Sequence, residues 1–297
     1  MSLARPRLSV AICTFNRAAS LERTLDSLAA ATPPPAPWEL LVVDNNSTDA
    51  TRAVAQAFMA RLPLRYVFEP VQGLSAARNR ALATFSGEWL LFTDDDVRVD
   101  GGWLNAYARA FAAFPAAAFF GGRVVPAWPD APPRWLGERP LALLDGLLVW
   151  YDRGAQTRLL APDEPLPYGA SFALSRAAID GQSGFRRDLG VVGSEPGRGE
   201  ESEFMQRLRA GGEAGVYVGE ALAHHMTDTR RLRLGYLYRY GVQKGVAERR
   251  FGSTARGSLL RAASYLARGL LQGLRGRGDR LRQCVINAGI EAGLRRE

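Results

Sequence analysis

Three consecutive carboxylates, Asp94, Asp95 and Asp96, follow directly on the apolar run Trp89-Leu90-Leu91-Phe92. Adjacent aspartates repel one another, so a fold keeps them together where water solvates them or a cation neutralises them. Carboxylate oxygens suit a hard divalent ion such as magnesium or manganese, whose other ligands are commonly phosphates. A second acidic stretch, Glu200-Glu201-Ser202-Glu203, opens a helical pattern ending near Leu208. At about 100° per residue Phe204, Met205 and Leu208 share one face, and Glu201 falls in the middle of it. Glu203 lies on the far side, within reach of Arg207 at i+4, and Glu200 sits between. The helix dipole accounts for acids in a first turn, but not for an acid among apolar neighbours. In a partly dry site Glu201 is a candidate general base, its pKa raised by burial against the dipole. The chain has two histidines, His224 and His225, adjacent and at a strand-like stretch. Both are metal-ligand candidates, and alternation along a strand points them to opposite faces.

These groups need strands to carry them, and the first part of the chain supplies a strand–helix alternation. Segments 8–13, 38–43, 64–68 and 89–93 read as strands, the last as one buried on both faces. Ser20 is a candidate cap for a helix with Leu21, Leu25 and Leu28 on its apolar face. The proline run 32–37 is a connector. A helix spans about 50–61 after the turn Asn45-Asn46-Ser47-Thr48-Asp49, and another opens at Gly73 and closes at Gly87. The pattern predicts a parallel sheet with helices on both faces. Ligands of such sheets bind outside the carboxyl ends of the strands. Thr14, Asn16 and Arg17 after the first strand, Asp44 after the second and Asp94–Asp96 after the fourth all fall at that edge. Ser47 and Thr48 can cap the next helix, which leaves Asp44 for a ligand. Arg78, on the helix after Gly73, is a candidate cation for the site or a surface arginine.

Composition bounds the rest. The chain has 297 residues, 47% of them hydrophobic, enough for one large domain or two small ones. Cys13 and Cys284 form no metal pattern or disulfide framework, which predicts a reducing, cytoplasmic setting. No secretory signal and no run of about 20 apolar residues is read. The formal charge is +8, almost all from arginine, Lys244 being the one lysine. Such basicity admits nucleic acid, anionic lipid or phosphorylated small molecules. No nucleic-acid module is present, so nucleic acid is not expected as a partner. No Walker loop is found, and no G-x-G-x-x-G follows the first strand, which excludes a dinucleotide cradle of that type.

The segments SVAICTFNR from Ser9, LLVVDNNSTD from Leu40, GLSAARNRAL from Gly73 and GEWLLFTDDDV from Gly87 together resemble glycosyltransferase family 2. The resemblance spans about residues 8–245. It implies the GT-A fold, a Rossmann-like, mostly parallel sheet flanked by helices, here with a helical C-terminal extension. It also implies base recognition by Asp44 and ribose or metal contacts from Asp94, Asp95 and Asp96. Three aspartates in a row allow two alignments of the family motif; we assign the metal to Asp96 with Asp94 beside it, and nucleotide contacts to Asp94 and Asp95 together with Thr14, Asn16, Arg17 and Arg78. The Glu200-Glu201 pair matches the family's Glu-Asp motif, with Glu201 where Asp is usual, and the resemblance makes that acid the base for the acceptor hydroxyl. A family histidine that completes the metal or phosphate site corresponds to His224 or His225.

The stretch 124–137 is rich in proline and tryptophan and reads as a loop or flap, whose Trp128 and Trp135 either stack on a sugar or pack in the core. Tyr168 to Leu174 reads as a strand whose small residues Gly169 and Ala170 let the backbone approach a ligand. The family has a similar segment near the donor sugar and acceptor. After Thr227 the chain turns arginine-rich, with Leu259, Leu260, Leu266, Leu270, Leu271 and Leu274 interleaved with Arg256, Arg261, Arg268, Arg275 and Arg277. This basic amphipathic pattern fits a helix packed on the catalytic domain, or a peripheral contact with anionic membrane at its inner face. The expected division is a transferase domain over 1–230, with a nucleotide half at 1–125 and an acceptor half at 126–230, and an extension over 231–297. The expected activity is inverting, metal-assisted transfer from a nucleoside-diphosphate sugar to a glycan, a lipid-linked acceptor or a small molecule. A sugar-phosphate nucleotidyltransferase and a non-catalytic sugar- or membrane-binding protein are the rival readings.

Overall fold

Strands β1 (Leu8–Thr14), β2 (Trp38–Asp44) and β4 (Trp89–Asp94) are apolar at nearly every position and almost wholly buried, whereas β3 (Leu64–Phe68) is half exposed. They pair in parallel in the order β3-β2-β1-β4, so burial on both faces belongs to the inner three and exposure to the edge. The computed structural model describes residues 7–129, 131–133, 136, 144–190, 199–251, 257 and 259–295. Helices α1 (Ala18–Ala30), α2 (Thr51–Ala57) and α3 (Leu74–Thr84) connect the four strands. Helix α1 begins before Ser20, with Arg17 at the cap position, but buries the expected Leu21, Leu25 and Leu28. Helix α3 ends at Thr84, short of Gly87. Gly87 serves a different need: a Cβ there would lie 2.8 Å from the Ser9 amide nitrogen on β1.

After β4 come β5 (Val97–Val99), α4 (Trp103–Ala113), β6 (Phe119–Ala127), α5 (Asp145–Leu148), β7 (Arg158–Leu159), β8 (Ser171–Ser175), α6 (Arg176–Asp180), α7 (Glu200–Ala210) and β9 (Gly215–Met226). The sheet continues β4-β8-β6-β9-β5, with β7 on β9. Here β8 runs antiparallel to β4 and β6, and β9 antiparallel to β5 and β7. The parallel part of this α/β sheet is thus its first four strands. Antiparallel pairing has a use at the site: it sets the start of β8, Ser171, opposite Thr93 at the carboxyl end of β4. One face of the sheet is covered by Ala77 and Ala81 of α3, Ile179 of α6 and Phe204, Met205 and Leu208 of α7. Burying each of the last three contributes roughly 1.5–3 kcal/mol, which fixes the rotation of α7 about its axis.

The chain divides into two compact units. The first comprises Met1–Pro126, Tyr151–Glu195 and Glu200–Met226, and carries the sheet. The second comprises Ala127–Trp150, Pro196–Gly199 and Thr227–Glu297, with helices α8 (Leu234–Arg250), α9 (Leu259–Leu274) and α10 (Gly278–Gly293). Its core joins Leu144, Leu147 and Leu148 to Leu237, Tyr240, Val285 and Ile286, with Trp128 packed against them. Helices α8 and α10 meet backbone to backbone through glycines: a Cβ on Gly293 would stand 2.0 Å from the Val242 carbonyl oxygen. Among the described residues no helix is long and apolar enough to cross a membrane.

Candidate functional site

Parallel pairing brings the strand ends into register. Thr14 lies opposite Asp44, and Cys13 opposite Asp94, so the loops after β1, β2 and β4 open on one edge. The first two loops are tied together by Asn16, in the left-handed region at φ 50°. Its amide donates to Ser47 Oγ at 2.9 Å and its Oδ1 accepts from the Thr48 amide at 2.7 Å. Asp44 is buried, accepting from the Ser47 amide at 2.9 Å and from the Tyr66 hydroxyl at 2.7 Å. Burial and that hydrogen bond to Asp44 push the Tyr66 hydroxyl up to about 12. The sequence reading missed Tyr66; its one signal is a tyrosine two residues before the end of the strand beside Asp44.

The aspartates differ in their surroundings. Asp95 accepts from Thr14 Oγ1 at 2.7 Å, and Arg17 bridges it to Asp96 with contacts of 3.0 and 2.8 Å. Burial works to lower the Arg17 pKa, but Asp95 and Asp96 more than offset it and raise it. Burial, with Asp96 adding like-charge repulsion, drives Asp95 up to about 7 and the more open Asp94 up to about 6, against the pull of Arg17 and Arg78.

Asp96 meets the second half of the sheet through β5. Because β5 begins at Val97 and pairs Val97 with His225, His225 stands next to Asp96, its Nε2 3.4 Å from Asp96 Oδ1. Val97 and His225 are both buried, on the inner face of the pleat. The alternation expected of the two histidines is observed: His224, paired with Arg98, turns to Asp100 at 3.0 Å instead. Among the described residues one donor atom each from Asp94, Asp96 and His225 lie within 4.8 Å of one another.

Arg78 is deeply buried, with its side chain 3% exposed. Its guanidinium bonds Glu200, lies 3.4 Å from Glu201 Oε2 and 3.6 Å from Asp94 Oδ1. Burial acts to lower its pKa, but Glu200, Glu201 and Asp94 outweigh that and raise it. The rings of Phe92, Phe172 and Phe185 stand 5.3–5.9 Å from its Cζ. Arg78 is therefore neither a surface arginine nor free to grip a phosphate; it binds the first turn of α7 to the end of β4. Gly169 seals it, since a Cβ there would fall 2.4 Å from Arg78 Nη2, and the Ala170 carbonyl accepts from Thr93 Oγ1 at 2.9 Å.

Glu200 is the more enclosed glutamate, 2% exposed, while the Glu201 side chain retains 15%. Burial first, and then the Glu201 charge, push Glu200 up to about 7 despite Arg78. Glu203 pairs with Arg207 at 3.0 Å, as the spacing predicts. In all, Asp94, Asp95, Asp96, Glu200 and Glu201 face two guanidiniums, Arg17 and Arg78. That excess of negative charge, with mixed carboxylate and imidazole donors, fits a divalent cation of the manganese or magnesium kind. Trp128 packs within the second unit, and Trp135 lies outside the described residues.

Residues 9–181 match the model of Glycosyl transferase family 2. The succinoglycan biosynthesis protein ExoM of Rhizobium meliloti is 29% identical over 246 residues, covering 80% of this chain and 72% of that protein. Validoxylamine A glucosyltransferase of Streptomyces hygroscopicus subsp. limoneus is 39% identical over 115 residues, 38% of this chain but only 25% of the longer relative. Among solved structures, mannosyltransferase PcManGT from Pyrobaculum calidifontis in complex with GDP-Man and Mn2+ superposes with a TM-score of 0.61. It is 20% identical, over 97% of this chain and 87% of that one. S. aureus TarS 1-349 in complex with UDP-GlcNAc gives 0.56 at 17% identity, over 94% and 90%. At these identities the two structures speak to the fold.

Proposed function

The chain belongs to glycosyltransferase family 2, and from that membership we propose an inverting, metal-assisted transfer of a sugar from a nucleoside-diphosphate sugar to a hydroxyl of a glycan or lipid-linked acceptor. The observation that carries this reading is the convergence, on buried Arg78, of Asp94 from the aspartate cluster and both glutamates of α7. It supports the reading because a proton acceptor would then stand beside the residues suited to a diphosphate and its cation. Fold neighbours complexed with GDP-Man and Mn2+ and with UDP-GlcNAc support the donor class.

In this reading Asp44 recognises the base, and Asp94 and Asp95 contact the nucleotide. Asp96, Asp94 and His225 would hold manganese or magnesium, which when bound would stabilise the charge of the departing diphosphate. Glu201 takes the proton of the acceptor hydroxyl. The acceptor oxygen bonds to the anomeric carbon from the face opposite the diphosphate, whose bond breaks with its electron pair, so the configuration inverts. Glu201 suits this role better than Glu200, which is closed off against Arg78. We assign the transfer to residues 1–230 and give 231–297 a peripheral contact with anionic membrane.

The test pairs two measurements. Thermal stabilisation by UDP, GDP, dTDP and CMP, with and without manganese, is compared for wild type and Asp96→Asn; a shift with one diphosphate that needs both manganese and Asp96 is expected. Glu201→Gln is expected to keep that shift and to lose transfer on the order of a thousandfold. No shift with any nucleotide overturns the donor site, and wild-type rates in Glu201→Gln overturn the base.

A further inference from the structure

Helix α9 turns Ala262, Gly269 and Gly273 inward and its leucines outward. Ala262 and Gly269 are buried, and Gly269 and Gly273 lie against Leu281 of α10. Leu259, Leu260, Leu266, Leu270, Leu271 and Leu274 are between 43% and 86% exposed. At 100° per residue they form, with Ala263 and Ala267, a continuous apolar arc about 140° wide. The arc contains no polar residue. An exposed apolar face of that extent marks an interaction surface.

Charge says what it meets. Residues 227–297 hold sixteen Arg and Lys against five Asp and Glu, a formal +11, which leaves −3 for the remainder of a chain whose total is +8. Arg268 flanks the arc, Arg275, Arg277 and Arg280 follow its end, and no acidic residue occurs between Glu248 and Asp279. A second copy of this chain would bring arginines to arginines with no acid to pair them. An anionic lipid surface supplies both an apolar layer for the leucines and phosphates for the guanidiniums. With 16 residues, α9 is about 24 Å long, shorter than the roughly 30 Å hydrocarbon core, so it fits the interface plane rather than a span.

We propose that α9 is an in-plane anchor that inserts its leucine face into an anionic membrane while Arg268, Arg275, Arg277 and Arg280 meet lipid phosphates. The proposal rests on the peripheral reading above and names its element and its chemistry. Its test is co-sedimentation with phosphatidylcholine vesicles with and without phosphatidylglycerol. Wild type is expected to bind only the anionic vesicles. Leu260→Ser/Leu270→Ser/Leu274→Ser, at positions open to solvent, is expected to weaken binding about a hundredfold or more while leaving the thermal melt and transfer to a water-soluble acceptor unchanged. Arg275→Gln/Arg277→Gln/Arg280→Gln is expected to weaken binding and flatten its salt dependence. Equal binding by the leucine variant would overturn insertion by α9 and leave a purely electrostatic peripheral contact. Absence of wild-type binding to either vesicle would overturn the peripheral reading with it. A leucine-dependent dimer that binds no vesicle would assign the face to a second copy.

Discussion

Glu200 is a carboxylate held out of water beside a guanidinium that it shares with Glu201 and Asp94. With three carboxylates on one arginine, burial prevails over attraction, and Glu200 titrates near 7 rather than at its ordinary 4.5. The native state therefore binds this proton more readily than the unfolded chain between those values, so the stability Glu200 contributes is full below about 4.5 and is lost as pH rises through about 7. Metal-free protein should become easier to unfold in urea as pH is raised from about 5 to about 8, by an amount of the order of a few kcal/mol. Glu200→Gln should shrink that slope; an unchanged slope would place the titration elsewhere. Little of this was legible in the sequence. Asp44 and Asp94–Asp96 could be read from the ends of apolar runs, because a strand end is a local feature. The burial of Arg78 could not, since its Glu200 partner lies 122 positions away. Nor could Arg17 be read as a clamp across two aspartates, because that depends on how the loops after β1 and β4 meet.

At the level of elements, the first four strands were read almost to the residue and β8 and β9 in part, whereas β6 continues as a strand to Ala127, into the stretch 124–137 expected to be a loop or flap. Parallel strands buried on both faces announce themselves by unbroken apolar runs. The 12-residue β9 carries Gly219 and Glu220 at its middle, which breaks the apolar run that would mark it as one strand. Choosing between the two histidines needed the Val97–His225 register, which no local pattern contains. The helices of the second unit show how identical substitutions diverge. A Cβ on Gly293 meets the Val242 backbone oxygen at 2.0 Å, whereas one on Gly235, in α8, meets nothing within 4 Å. Gly293→Ala should push α10 off α8 and destabilise by about 1–3 kcal/mol. Gly235→Ala should stabilise by roughly 0.5–1 kcal/mol, through helix propensity alone. Urea midpoints of the two variants decide this, and equal shifts would show that α8 and α10 are not in backbone contact.

For the molecule as a whole, the leucines that the sequence interleaves with arginine could be assigned a period but not a direction. Either face of α9 could have gone to α10, and it is the small one that did, because Gly269 and Gly273 admit the Leu281 side chain closely. The outward leucines then govern how copies behave toward one another in plain buffer. Like charge on the last 71 residues holds them apart at low ionic strength, over a screening distance of about 30 Å in 0.01 M salt that shrinks to about 10 Å at 0.1 M. Adding salt removes the repulsion while leaving the apolar attraction intact, so the protein should cloud as a hydrophobic colloid does when its charge is screened. Light scattering should rise with sodium chloride for wild type and stay flat for Leu260→Ser/Leu270→Ser/Leu274→Ser; a flat wild type would mean that the leucine faces do not meet. Such a solution keeps best dilute in salt, and a lipid surface would act on it as a dispersant.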